Sequence, residues 1–120
     1  MLRTKSVAIA IALVMTAFAA NFTLAHHGWS GYDSSQVLNL SGVIQESGYE
    51  HPHAYMKMEV GNKLWLVVLA PPSRMERRGI PRDLLAAGTT ATVVGYPHRS
   101  DDGEMRAERV TITGKTAELR

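Results

Sequence analysis

Five histidines carry most of the chemistry this sequence offers, and they fall in three places. His26 and His27 stand side by side directly after an apolar segment, His51 and His53 flank Pro52, and His98 follows Pro97. Neutral imidazole is the commonest protein ligand for transition metals near neutral pH. If the chain is cut after Ala25, His26 becomes its first residue, and the free α-amino group and ring nitrogen of that residue can chelate one ion together. His27 adds a second imidazole. The loop around Pro52 is the expected source of the remaining ligands, His53 first and His51 next. Copper(II) suits such a nitrogen set because it prefers tetragonal donors and heads the divalent affinity series; zinc is the runner-up. Asp33 and Glu50 are candidate oxygen ligands, or partners that orient an imidazole. His98 is a further candidate.

Other chemistries find less support. The chain has no cysteine, which rules out thiolate metal sites and cysteine nucleophiles. No nucleophile elbow, phosphate loop or His-Glu-x-x-His helix is present. Ser30 lies near His27 and Asp33, but closeness in a glycine-rich arm does not make a triad. A small copper oxidoreductase is a third reading, against which size and a barrel-like pattern argue; the expected role is non-enzymatic. Arg74, Arg77, Arg78 and Arg82 form the one dense basic stretch. It reads as a solvated helix face, or as a patch for an anionic partner such as a lipid headgroup, polysaccharide or envelope protein.

The elements that must position these residues begin with the export segment. Arg3 and Lys5, the apolar run Val7 to Ala20, and small residues at Thr23 and Ala25 make the three-part pattern of a signal peptide. The run is shorter than the ~20 residues of a spanning helix, so no retained anchor is expected. Cuts after Ala19 or Ala20 compete with the one after Ala25. The expected location is the periplasm of a Gram-negative bacterium. Removing 25 of the 120 residues leaves 95, the size of one small domain. Loss of Arg3 and Lys5 from 13 basic side chains leaves 11, equal to the 11 acidic ones. The apparent basicity therefore belongs to the export segment, and nucleic-acid binding loses its electrostatic argument.

The expected organisation is a signal peptide over 1–25, an irregular arm over 26–36, a barrel domain over 37–114 and a polar tail over 115–120. Val37 to Glu46 alternates as a strand, with Leu38, Leu40 and Ile44 on one face and Gly42 as a candidate bulge. Ala54–Val60 and Leu64–Ala70 follow as strands joined by a Gly61-Asn62 turn. Met56 and Met58 share one strand face and read as core more than as thioether ligands. Trp65 is expected in the barrel, while Trp29 either anchors the arm or stacks on a ligand. Ser73 is the expected cap of a short helix through Arg78 with Gly79 as terminator, and Pro81 to Leu85 suggests one more helical turn. Thr90–Tyr96 and Met105–Thr113 complete five strands. Five strands with a helix between the third and fourth give an all-β, OB-fold-like small barrel, with a generic five-stranded sandwich as the alternative. In an OB barrel the loop carrying His51 and His53 and the loop carrying His98 and Arg99 flank one face, where the arm can bring His26 and His27.

Several motifs in order support a resemblance. They are His26-His27 after the export segment, Tyr32-Asp33, Leu40-Ser41-Gly42-Val43, Pro52-His53, Arg77-Arg78-Gly79 and Gly95-Tyr96-Pro97. In these the chain resembles a family of small exported bacterial proteins known as domain of unknown function 6152, over nearly all of the sequence after the export segment. The family pattern carries asparagine before Pro-His, where this chain has His51. His26, His27 and His53 are thus the candidates the resemblance carries over; His51 and His98 rest on other arguments. The resemblance implies location and fold and brings no activity with it.

Overall fold

The computed structural model describes residues 28–120, so the export segment, His26 and His27 lie outside the described residues. Six strands form one sheet: β1 Leu38–Gly48, β2 Tyr55–Val60, β3 Lys63–Val68, β4 Thr90–Pro97, β5 Glu104–Ile112 and β6 Lys115–Glu118. Neighbours run in the order β3-β2-β1-β4-β5-β6, and a parallel pairing of β3 with β5 closes the first five into a barrel. That closure matches Leu66, Val67 and Val68 with Glu104, Met105 and Arg106. The OB-like reading holds over the expected strands, and a sixth strand is added.

β1 can serve two partners because it bends. Its first half pairs with β4 from Leu38 to Val43, and its second half pairs with β2 from Val43 to Gly48. The register shift lies between Ile44 and Glu46, so the bulge falls just beyond Gly42. Gly42 itself stays in register with Ala91. Its role is close approach: a Cβ there would overlap the Glu59 carbonyl of β2. Glycine lets β1 pass from one partner to the other at the crowded corner of the barrel.

The alternation seen in the sequence fills the interior. Ile44, Met56, Met58, Val67 and Val93 are fully buried, and Trp65 packs against them from a partly buried position. Both methionines are therefore core. The helix α1, Pro72–Arg77, lies between β3 and β4 in the chain and adds Met75 to the core. It starts two residues earlier than expected, with Pro71 in place of Ser73 as the cap. Ser73 makes no capping hydrogen bond, because Pro72 at the first turn has no N–H to satisfy and a preset φ. At the other end Gly79 has φ 82°. Its N–H donates to the Glu76 carbonyl and that of Ile80 to the Met75 carbonyl, which closes the helix as a Schellman motif. The extra turn at Arg82–Leu85 is a 3-10 turn that buries Leu85.

Residues 115–120 correct the expectation of a polar tail. Thr113 and Gly114 both have positive φ and turn the chain as a two-residue hairpin, after which Lys115–Glu118 pairs with Arg109–Ile112. Ala117 and Leu119 are buried while their neighbours are exposed. Two apolar residues in six is too short an alternation to stand out from sequence, and Thr-Gly is not the usual hairpin pair.

Candidate functional site

Along the first half of β5, Met105 and Ala107 point into the barrel, which sends Glu104 and Arg106 to its outer face. Charged residues there should meet water, yet both are buried, at 7% and 6% exposure. The cover is the arm. It begins with a 3-10 turn at Trp29–Gly31 and is tied to the end of β4 and the loop after it. The Asp33 N–H donates to the Pro97 carbonyl (2.8 Å), the Arg99 N–H to the Gly31 carbonyl (2.9 Å), and Arg99 Nε to the Ser30 carbonyl (3.0 Å). Tyr32 and His98 form an isolated bridge.

Two linked clusters result. In the first, the buried Tyr32 hydroxyl donates to Glu104 Oε2 at 2.7 Å, and the Tyr32 and His98 rings meet edge to face at 5.3 Å. Burial, and then the bond to the Glu104 carboxylate, push the Tyr32 hydroxyl well above its ordinary pKa. His98 Nδ1 accepts backbone N–H groups of Asp101 (2.9 Å) and Ser100 (3.2 Å). Its ring proton therefore sits on Nε2, 3.9 Å from Glu104 Oε2. Nδ1 of His98 is thus engaged in shaping the loop between β4 and β5.

In the second cluster, the Arg106 guanidinium lies 4.1 Å from the centre of the Trp29 ring, and Nη2 is 3.4 Å from His53 Nε2. Arg120 covers the same indole at 4.8 Å, and Tyr96 meets its edge at 6.0 Å. Arg74 reaches the Leu119 carbonyl at 3.2 Å. Burial lowers the pKa of Arg106; Tyr32 opposes that shift, while Arg74 and Arg120 add to it by repulsion. The guanidinium stays charged regardless.

The sequence candidates are therefore dispersed. His53 is half-buried on the outer face beside Arg106. His51 and Glu50 are exposed and border, with His53, Tyr55, Leu66 and Val68, a hollow of about 230 Å³. The His51–Pro52 peptide is cis. Asp33 is turned into its own loop, where Oδ1 accepts from the Ser35 N–H and hydroxyl and Oδ2 from Gln36; these bonds lower its pKa. The loops bearing His53 and His98 do reach one strand face, since their partners Arg106 and Glu104 are two residues apart, about 7 Å. Among the described residues no group of three or more His, Cys, Asp or Glu side chains gathers to hold a metal. The basic stretch divides as well. Arg74 turns towards Leu119 and Arg82 lies over Tyr49, leaving Arg77 and Arg78 exposed on α1.

Glu104 and Arg106 have no place in the sequence reading. The available signal is two charges flanking Met105 in an otherwise strand-like run, opposite an aromatic-rich arm.

A family of unknown function, DUF6152, matches residues 12–107. The chain belongs to this family. The match covers the site just described from Trp29 to Arg106, and ends before Leu119 and Arg120. No functionally curated protein matches the DUF6152 chain. Among solved structures it is similar to part of TiaS in its complex with tRNA and ATP, with a TM-score of 0.51 and 19% identity over 74% of this chain. It is also similar to a ZRD-deleted TiaS mutant bound to agmatine, with a TM-score of 0.50 and 19% identity over 73%. The chain spans only 20% and 25% of those two proteins. At that identity the likeness speaks for the fold alone.

Proposed function

We propose that this DUF6152 chain is an exported, periplasmic, non-enzymatic barrel that binds a transition metal, copper(II) first and zinc second, for buffering or delivery. His26 supplies its amine and ring nitrogen, His27 a second imidazole, and His53 the ligand held by the barrel. His51 is the reserve ligand at the rim. The observation that supports this reading is the place of Trp29. Its ring is fixed on Arg106, and Arg106 reaches His53. The described part of the arm thus starts on the His53 side of the barrel, and on that ground the two residues before Gly28 are taken as ligands. His53 by itself is one ligand, which makes the arm indispensable to the site.

The test uses protein exported by its own signal. N-terminal sequencing should read His-His-Gly, and titration should show one copper(II) bound at micromolar or tighter affinity. A cut after Ala19 or Ala20, or a protein indifferent to micromolar copper, sinks the proposal. The alternative then stands: a metal-free module for an anionic envelope component, for which the exposed Arg77 and Arg78 speak.

A further inference from the structure

We propose that Arg106, with Arg120 and Arg74 beside it, forms a binding site for a small oxyanion of the phosphate or carboxylate type. This site does not rest on the metal reading, although the two sites share Trp29 and the Arg106–His53 contact. Three observations carry it. The first is an unanswered charge: Arg106 is 6% exposed, its Nε is buried with no hydrogen-bond partner, and its side-chain contact with His53 is a long one of 3.4 Å to a ring nitrogen. Buried guanidinium groups ordinarily meet a carboxylate or a carbonyl in a bidentate fork. Among the described residues no carboxylate forms an ion pair with Arg106.

The second is convergence. Arg120 and Arg106 both lie against the Trp29 ring, and Arg74 is held to Leu119, next to Arg120 in the chain. Two guanidinium groups thus share one indole, with Arg74 close enough to add to their repulsion. The third is that the nearby carboxylates are occupied. Glu104 accepts the Tyr32 hydroxyl. Glu108 accepts the Tyr96 hydroxyl at 2.6 Å and pairs with Arg120 at 3.6 Å. Glu108 offsets part of the Arg120 charge and leaves Arg106 and Arg74 uncompensated. An oxyanion that enters beside Trp29 would meet the donors of Arg106 and the outer end of Arg120, which is 57% exposed. Trp29 then acts as the wall of the site as well as the anchor of the arm.

The experiment follows the Arg106 Nε–H resonance of the mature, metal-stripped, nitrogen-15-labelled protein. Sodium phosphate and sodium acetate are the probes, added separately at constant ionic strength. The expected result is a saturable shift with a midpoint of about 1–10 mM for at least one probe. The midpoint should rise about tenfold in Arg120→Ala, which removes an exposed donor. Arg106→Gln should abolish the response elsewhere around Trp29; Arg120→Ala keeps the test decisive if that variant fails to fold. No saturable shift up to about 50 mM of either probe, well beyond the expected midpoint, or an unchanged midpoint in Arg120→Ala, overturns the proposal. Since metal is absent throughout, either outcome leaves the histidine reading to its own test.

Discussion

Replacing Tyr32 by Phe isolates what holds the arm to the barrel. The substitution keeps the ring, its burial and its edge contact with His98, and deletes one hydroxyl. That hydroxyl donates at 2.7 Å to a carboxylate that is only 7% exposed. The nearest alternative donor is His98 Nε2, still 3.9 Å away. A hydrogen bond to a charged group is worth about 1.5–3 kcal/mol, and a buried acceptor left without its donor sits at the upper end. For a domain of under ~100 residues, 1 kcal/mol moves Tm by about 4–8 °C. Tyr32→Phe should therefore lower Tm by about 6–24 °C at pH 7. Scanning calorimetry gives that shift, and amide hydrogen exchange separates the two ways it can arise. If Tyr32 is the latch, protection at the Asp33 and Arg99 amides falls more than protection in β2. A Tm change under about 2 °C, well short of that range, or a loss of protection spread evenly over the sheet, would refute the latch.

Four further outcomes follow from the same structure. Gly42→Ala places a methyl against the Glu59 carbonyl and Gly95→Ala one against the Arg106 carbonyl; each should cost about 2–4 kcal/mol in urea unfolding. Trp29→Ala removes the indole from two guanidinium groups and should cost about 1–3 kcal/mol, while weakening copper binding at least tenfold if the arm delivers His26. Because the Tyr32 pKa is raised on folding, its contribution to stability is fully present below the unfolded value of about 10 and is lost as pH rises beyond it. Urea midpoints between about pH 9 and 11.5 should fall with up to about 1.4 kcal/mol per pH unit from this group, and that part of the slope should vanish in Tyr32→Phe. One extra residue before His26 turns the amine into an amide, and copper titration should show a sharp loss of affinity; equal affinity removes the amine from the site.

Alternation and turn chemistry control what the sequence alone reveals. β2 and β3 are legible because Met56, Met58, Val67 and Leu69 recur at strand spacing around a Gly-Asn turn, and the helix end because glycine follows Arg78. The placement of His53 near the outer barrel face follows from its loop alone. Tertiary relationships are not legible. Glu104 and Arg106 alternate with core residues and so read as solvent-facing; only the arm, remote in sequence, buries them. His98 reads as an available ring, although its Nδ1 accepts from the backbone of its own loop. Asp33 looks like an oxygen ligand, yet Ser35 and Gln36 claim both its oxygens. For His98 and Asp33 competing local hydrogen bonds decide the side chain's availability, and residue type does not report them.

The sixth strand bears on a different property, resistance to self-association. Of β5, β3 pairs with residues 104–106 only, so a barrel of five strands would leave one side of residues 109–112 with open hydrogen-bonding groups. Such an edge is a template for pairing with another molecule. β6 covers that stretch with four residues, and Ala117 and Leu119 are buried. The edge it presents in turn is four residues long and carries Lys115 and Glu118, short and charged enough to discourage an incoming strand. In a chain without disulfides, this terminal hairpin closes off a stretch of β5 along which the sheet could otherwise extend into another molecule.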